Sequence, residues 1–202
     1  CILSPLRTWL MRYILELLER LPEEERFLLV NLDDSLLIKD PDTCHLEGVD
    51  WHYDHNANRR GRKSKQNALS CILCNIVVGD HRFTIDIRPY LREKTVRRLN
   101  RQRPKGQRLH FVSKPRLAKR ILRDLKPMLP ADVRVYVQFD AWFASAKLLK
   151  YVLRQGWHAI ARIRSNRKID QDSLQDRFAS LKHRRYHHVK VGAADNKRTF
   201  LV

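Results

Sequence analysis

Asp33, Asp34 and Asp140 are the residues of this chain best placed to do chemistry. Each closes an apolar run: Arg26-Phe-Leu-Leu-Val-Asn-Leu-Asp33, followed by Asp34 and Ser35, and Val133-Arg-Val-Tyr-Val-Gln-Phe-Asp140. Short apolar runs of this kind read as buried strands, and open sheets take their ligands at the carboxyl ends of their strands. Carboxylates gathered there can hold a hard divalent cation. Asp33 and Asp34 are adjacent on a strand and project to opposite faces, so one of the two serves, and geometry leaves both open. For Asp140 the competing reading is a helix N-terminal aspartate favoured by the helix dipole.

The chain around these carboxylates is strongly basic. It carries 41 Lys and Arg against 22 Asp and Glu, a formal net charge of +19 over 202 residues. Charge of that sign needs an anionic partner. The cations are spread over several segments rather than along one helical face, which favours nucleic acid over a membrane surface. A hydrophobic content of 43% is that of a folded domain, and the length fits one domain. No apolar run approaches the ~20 residues that cross a bilayer, and charged residues from Arg7 to Arg20 break up the N-terminal apolar residues, which excludes a secretory signal. The chain therefore reads as cytoplasmic, with no membrane partner and with Cys1, Cys44, Cys71 and Cys74 reduced.

The elements that must position the aspartates can be read in order. Apolar residues at helical spacing (Leu6, Trp9, Leu10, Tyr13, Ile14, Leu17, Leu18) predict an amphipathic helix over 4–21, ended by Pro22. A strand follows at 26–33, then a long polar stretch over 39–67. Strands are expected at 68–78 and 82–90, with Gly79-Asp80 as the hairpin turn. A basic segment over 91–110 reads as a short helix and a loop. A helix over 114–129 is expected, with Ser113 as N-cap and Pro115 in its first turn. A strand over 133–140, a helix from there to Gln155 with Gly156 as its stop, and a strand over 157–164 complete the pattern. A further strand pair is expected near 187–191 and 198–202. Antiparallel strands followed by β-α-β units give a mixed α/β sheet with helices on its faces. If the strands at 26–33 and 133–140 are parallel neighbours, Asp33 and Asp140 lie side by side about 4.8 Å apart and can share one cation. Trp142, Phe143 and Trp157 read as core.

These residues resemble a known family. Asn31-Leu-Asp33-Asp34-Ser35, with Lys39 after it, resembles the first catalytic block of bacterial insertion-sequence transposases of the DDE type. Trp51-His-Tyr-Asp-His55 and the basic loop after it resemble the stretch that follows that block in one subgroup. Val137-Gln-Phe-Asp140-Ala-Trp-Phe resembles the second block, and Arg162-Ile-Arg-Ser-Asn-Arg-Lys168 the strand end that comes next. The resemblance spans about 26–170. It implies a ribonuclease-H-like mixed five-stranded sheet over 26–170, an N-terminal amphipathic helix over 1–25, and the start of a β-rich insertion over 171–202. It also implies two divalent ions, Mg²⁺ or Mn²⁺, held by Asp33, Asp140 and a glutamate, acting on double-stranded DNA at transposon ends and at the target, in a bacterial, nucleoid-associated protein. The family's ligand stands two residues before a Ser or Thr, which selects Asp33, before Ser35, with Asp34 as its alternative. It leaves room for a homodimer of the full-length protein. The family's third carboxylate is a glutamate on a helix beyond the strand at 157–164, and no glutamate follows Glu93. Asp170, Asp172, Asp176 and Asp195 lie at other spacings. The chain is therefore expected to stop short of the catalytic helix and to lack strand-transfer activity alone. The alternative is a non-catalytic basic DNA-binding remnant of a transposase; a nuclease completed by another residue such as Asp170 is a third reading.

The DNA contacts are expected from three basic clusters. These are Arg59, Arg60, Arg62, Lys63 and Lys65; Arg97, Arg98, Arg101, Arg103, Lys105 and Arg108; and Arg162, Arg164, Arg167 and Lys168. Each alone would be a solvated surface, and together they leave the uncompensated charge that phosphate contact requires. Cys71 and Cys74 form a C-x-x-C inside an apolar strand, where positions i and i+3 face opposite ways, so a structural role is expected rather than zinc. Cys44, His45, His52 and His55 have no regular metal spacing; His52 and His55 read as packing or DNA contacts near the first aspartate.

Overall fold

The computed structural model describes residues 3–54 and 64–163, together with the short strands at 168–169, 172–173, 188–191 and 198–201. Helix α1 (Leu3–Glu19) leads into β1 (Phe27–Ile38), β2 (Asp50–Tyr53), β3 (Lys65–Val78) and β4 (His81–Tyr90). Then come α2 (Glu93–Asn100), α3 (Lys114–Leu125), β5 (Arg134–Phe139), α4 (Ala146–Arg154) and β6 (His158–Ala161). Two short antiparallel pairs follow, β7 (Lys168–Ile169) with β8 (Asp172–Ser173), and β9 (His188–Val191) with β10 (Arg198–Leu201).

Strands β4, β3, β1, β5 and β6 are hydrogen-bonded in that order. β1 runs antiparallel to β3 and parallel to β5, and β6 is parallel to β5. This is the expected ribonuclease-H-like mixed sheet. The sixth strand, β2, was not foreseen in the polar stretch. It pairs with β3 over 65–68 while β4 pairs with β3 over 70–78, so the two share one edge end to end. Side chains rather than apolar content organise this edge. The amide Nδ2 of buried Asn67 donates to the carbonyls of Asp40, Pro41 and Thr43 at 2.9, 3.3 and 3.0 Å.

The core lies on one face of the sheet. Leu28, Val30 and Leu32 of β1, Ile72, Cys74, Ile76 and Val78 of β3, and Val135, Val137 and Phe139 of β5 are buried with residues of α1, α3 and α4. Strand alternation sends the intervening residues to the other face. There Phe27, Ile87 and Ile160 are 38%, 57% and 48% exposed. Among the described residues α1, α3 and α4 thus cover one face, and the face bearing Asp33 and Asp140 is open. On the covered side a bulge at Ile85, between Cys74 and Asn75 in the register, turns Asp86 and Arg88 of β4 inward. Arg88 bonds Asp86 and Asp124 of α3 at 2.8 Å each, and Arg7 of α1 reaches Asp86 at 3.4 Å, tying both helices to the edge strand.

Several boundaries differ from expectation for physical reasons. β1 runs on to Ile38 because the 14-residue β3 pairs with it as far as Ile38↔Ala68. Asp33 and Asp34 are therefore inside the strand, at the point where its pairing with β5 stops. α3 ends at Leu125, and Pro127 sits in the single tight turn that follows. The helix after Asp140 starts only at Ala146, where Ser145 Oγ accepts from Leu148 N at 3.3 Å. Phe143 and Trp157 are core, but Trp142 is 52% exposed. It lies in the turn that carries the chain away from the sheet.

Candidate active site

The parallel pairing of β1 with β5 ends at Leu32↔Phe139. Asp33 and Asp140 occupy the next position on each strand, both on the open face. Adjacent strands hold such residues about 5 Å apart. After this step the strands part. Asp140 Oδ1 accepts from Trp142 N at 2.9 Å and Phe143 N at 3.3 Å, an Asx-type turn that peels β5 away. β1 continues with only β3 beside it, so its free edge over 33–38 becomes the floor of a cleft of about 750 Å³. Asp33, Asp34 and Asp140 line it. A smaller adjoining hollow of about 300 Å³ is lined by Asp33, Asp140, Gln138 and Arg162.

Asp33 and Asp34 have different environments, as strand alternation requires. The Asp34 carboxylate turns to the helix side, where Oδ2 takes the ammonium of Lys114 at the start of α3. Asp33 is exposed on the open side. Loss of solvent around its carboxylate pushes its pKa up; the Asp34 N–H, 2.8 Å from Oδ1, pulls it down, and the Asp34 and Asp140 carboxylates push it up again. The net effect is upward. A side-by-side pair of carboxylates supplies the hard oxygen donors that suit a divalent cation. Asp33 and Asp140 fit such an ion, and Asp34 is already neutralised. Among the described residues no three His, Cys, Asp or Glu side chains converge on one point.

The basic residues named from sequence divide by position. Arg162 stands one register step past Ala161, opposite Asp140, and is exposed. Lys65, Arg101, Lys105 and Arg108 are exposed on the surface. Arg97 pairs with Glu93 and Arg103 with Glu47, each at 2.7 Å, and Arg98 donates to Val49 O at 3.1 Å, so these three also hold α2 and its flanks in place. Lys168 lies in β7. Arg59, Arg60, Arg62, Lys63, Arg164 and Arg167 lie outside the described residues, as do His55, Asp170, Asp176 and Asp195. Cys71 and Cys74 are both buried, Cys74 within the cluster under the helices and Cys71 outside it, in keeping with opposite facing. Burial pushes the Cys74 thiol up to about 12. Cys44 is exposed.

A family model described as DDE superfamily endonuclease matches residues 5–190. The chain belongs to the DDE endonuclease superfamily. Solved structures similar to this DDE-family chain include a piggyBac transposase synaptic complex with hairpin DNA, with 15% identity and a TM-score of 0.44, covering 86% of this chain and 32% of that one. Another is the Drosophila P element transposase strand transfer complex, with 8% identity and a TM-score of 0.30, covering 73% of this chain and 29% of that one. The DDE-family chain thus spans about a third of each. No curated protein matches it.

Sequence reasoning missed three residues of this DDE-family cleft: Lys114, Arg92 and Tyr90 line it beside Asp34. Lys114 is 80 positions from its partner Asp34. No local motif marks such a pair. The one available signal was the absence of any other reason for a lysine between Ser113 and Pro115 at a helix start, where the dipole disfavours a cation.

Proposed function

We propose that this chain is catalytic-core sequence of a DDE transposase, whose cleft cuts and joins DNA with Asp33 and Asp140 as its metal-holding carboxylates. The observation that carries the reading is the pair itself: two carboxylates one step beyond the last parallel register pair, side by side on an open face at the mouth of the cleft. A hard divalent ion, Mg²⁺ or Mn²⁺, and in the complete enzyme a pair of them, would lower the pKa of bound water and stabilise the oxygens attacking and leaving phosphorus.

The chain's own residues supply the rest. The β1–β5 pairing, which ends one step before the two aspartates, fixes the spacing of their backbone positions in advance of binding. The Asx-type turn holds the Asp140 carboxyl through Oδ1. Arg162 stands beside Asp140 to meet a phosphate, and the net charge of +19 draws duplex DNA to the molecule. A homodimer and a bacterial insertion-sequence origin are part of the same reading.

Mn²⁺ binding followed by electron paramagnetic resonance tests the site without needing turnover. The wild-type chain should bind Mn²⁺ weakly and saturably, since two carboxylates without a third make a poor cage. Asp33→Asn and Asp140→Asn should each lose that binding, and Asp34→Asn should keep it. Unchanged Mn²⁺ binding in Asp33→Asn, or loss confined to Asp34→Asn, rejects the assignment. The lack of a third convergent carboxylate among the described residues favours one second reading, a DNA-binding protein without catalysis. It predicts no plasmid nicking with Mg²⁺ or Mn²⁺ at any protein concentration.

A further inference from the structure

The wall of the cleft on the helix side of β1 carries a second constellation. Lys114 sits in the first turn of the 12-residue α3, its side chain only 15% exposed, its ammonium on Asp34 and 5.2 Å from the centre of the Tyr90 ring. Ser113 before it makes no side-chain capping bond. Arg92, just ahead of α2, uses one guanidinium nitrogen on the carbonyl of Trp51. Arg92 also lines the cleft. His52 of β2 lines the same cleft, is 7% exposed, and has an Nε2 that is buried and without a hydrogen-bond partner among the described residues.

An orphaned buried imidazole nitrogen is destabilising unless something pairs with it. Here the charges acting on it are the cations of Arg92, Lys114 and Lys94 and one carboxylate, Asp50. Burial lowers the His52 pKa, and the Arg92 charge lowers it further, as do Lys114 and Lys94 against the opposing pull of Asp50. The ring is thus held neutral, with one N–H to donate. An ammonium, a guanidinium edge and an imidazole N–H around one opening, beside an uncapped helix start, form a donor set that fits the non-bridging oxygens of a phosphodiester. Asp34 then has a role apart from the metal: it neutralises Lys114 while no phosphate is present.

We propose that Lys114, Arg92 and His52 form a phosphate subsite in this cleft, which grips the DNA strand next to the phosphate presented to Asp33 and Asp140, with Asp34 as the counterion that the DNA displaces. The proposal rests on reading the cleft as a DNA-cutting site, and it assigns a grip to the side away from the metal.

Anisotropy of a fluorescent duplex titrated with the chain, in chelator and at several salt concentrations, tests it without any metal. Lys114→Gln and Arg92→Gln should each weaken binding and reduce the slope of log K against log salt by about 0.9, the loss of one phosphate contact. His52→Phe should weaken binding several-fold, and His52→Gln, which keeps an N–H donor, should restore most of it. Asp34→Asn should tighten binding, because it frees Lys114 and removes a charge that repels phosphate. If the Lys114–Asp34 pair is only a structural tie, Asp34→Asn and Lys114→Gln will both lower the melting temperature and neither will change the slope, and the proposal fails. Should Lys114→Gln fail to fold, the sign of the Asp34→Asn effect decides alone: weaker or unchanged binding overturns the subsite. Mn²⁺ binding at Asp33 is read separately, so the two assignments fail independently.

Discussion

At the scale of single residues, Asp33 carries a charge penalty that can be measured. Its pKa is raised by loss of solvent and by the carboxylates of Asp34 and Asp140. A carboxyl whose folded pKa lies above its unfolded value is penalised in its charged form. That penalty is absent below the ordinary carboxylate range, where both states are protonated, and is complete once pH passes the raised folded value. Asp33→Asn should therefore raise the melting temperature of the metal-free chain at pH 7, with the gain shrinking to nothing near pH 3. A lower melting temperature at pH 7 would mean that the Asp34 N–H bond outweighs the crowding. The cysteines give a second check at this scale. With Cys44 exposed and Cys74 buried and its thiol pushed up to about 12, peptide mapping after mild alkylation should find Cys44 modified first and Cys74 only after unfolding. Alternation made it legible that the adjacent pair divides between the two faces; the preference for Asp33 came from the family resemblance, through its spacing to Ser35. What Asp34 does instead was not legible, because Lys114 reaches it only through the tertiary packing of α3.

At the scale of elements, most of the architecture was written in local pattern. The 3.6-residue period of α1, the Gly79-Asp80 hairpin and the apolar runs of β1, β3 and β5 gave a mixed sheet in the right order. The failures share one cause: they are places where pairing or a side-chain bond overrides composition. β2 forms in a polar stretch because β3 is long enough to offer it an edge. β1 outlasts its apolar run for the same reason, and α4 starts late because the Asp140 carboxyl first closes a turn. The sheet's two faces also carry different energies, which alternation on paper does not reveal. Ile76 is fully buried under the helices, whereas Ile87 on the open face is 57% exposed. Ile76→Ala should cost about 2–5 kcal/mol, and Ile87→Ala should stay within about 0.5 kcal/mol, as read by urea denaturation. A cost of several kcal/mol at Ile87 would show that something covers the open face in solution.

For the whole molecule, one cause should act with opposite signs on two measurements. With 41 basic and 22 acidic residues the folded chain repels itself. The local ion pairs oppose that repulsion, notably Arg88 with Asp86 and Asp124. They are short and partly shielded, so salt weakens them less than it weakens repulsion between distant surface cations. Raising salt from about 0.01 M to about 0.15 M shortens the screening length from about 30 Å to about 8 Å. That change removes most of the long-range repulsion and leaves pairs at 2.8 Å largely intact. The melting temperature of the free chain should therefore rise with salt over this range. The same salt should weaken duplex binding steeply, since bound cations no longer gain by releasing counterions. A melting temperature that falls with salt would mean that the paired charges, not the surplus, govern stability. The net charge would then be concentrated where the DNA sits rather than spread over the fold, and the slope of DNA affinity against salt, compared between wild type and Lys114→Gln, would measure how much of it the cleft holds.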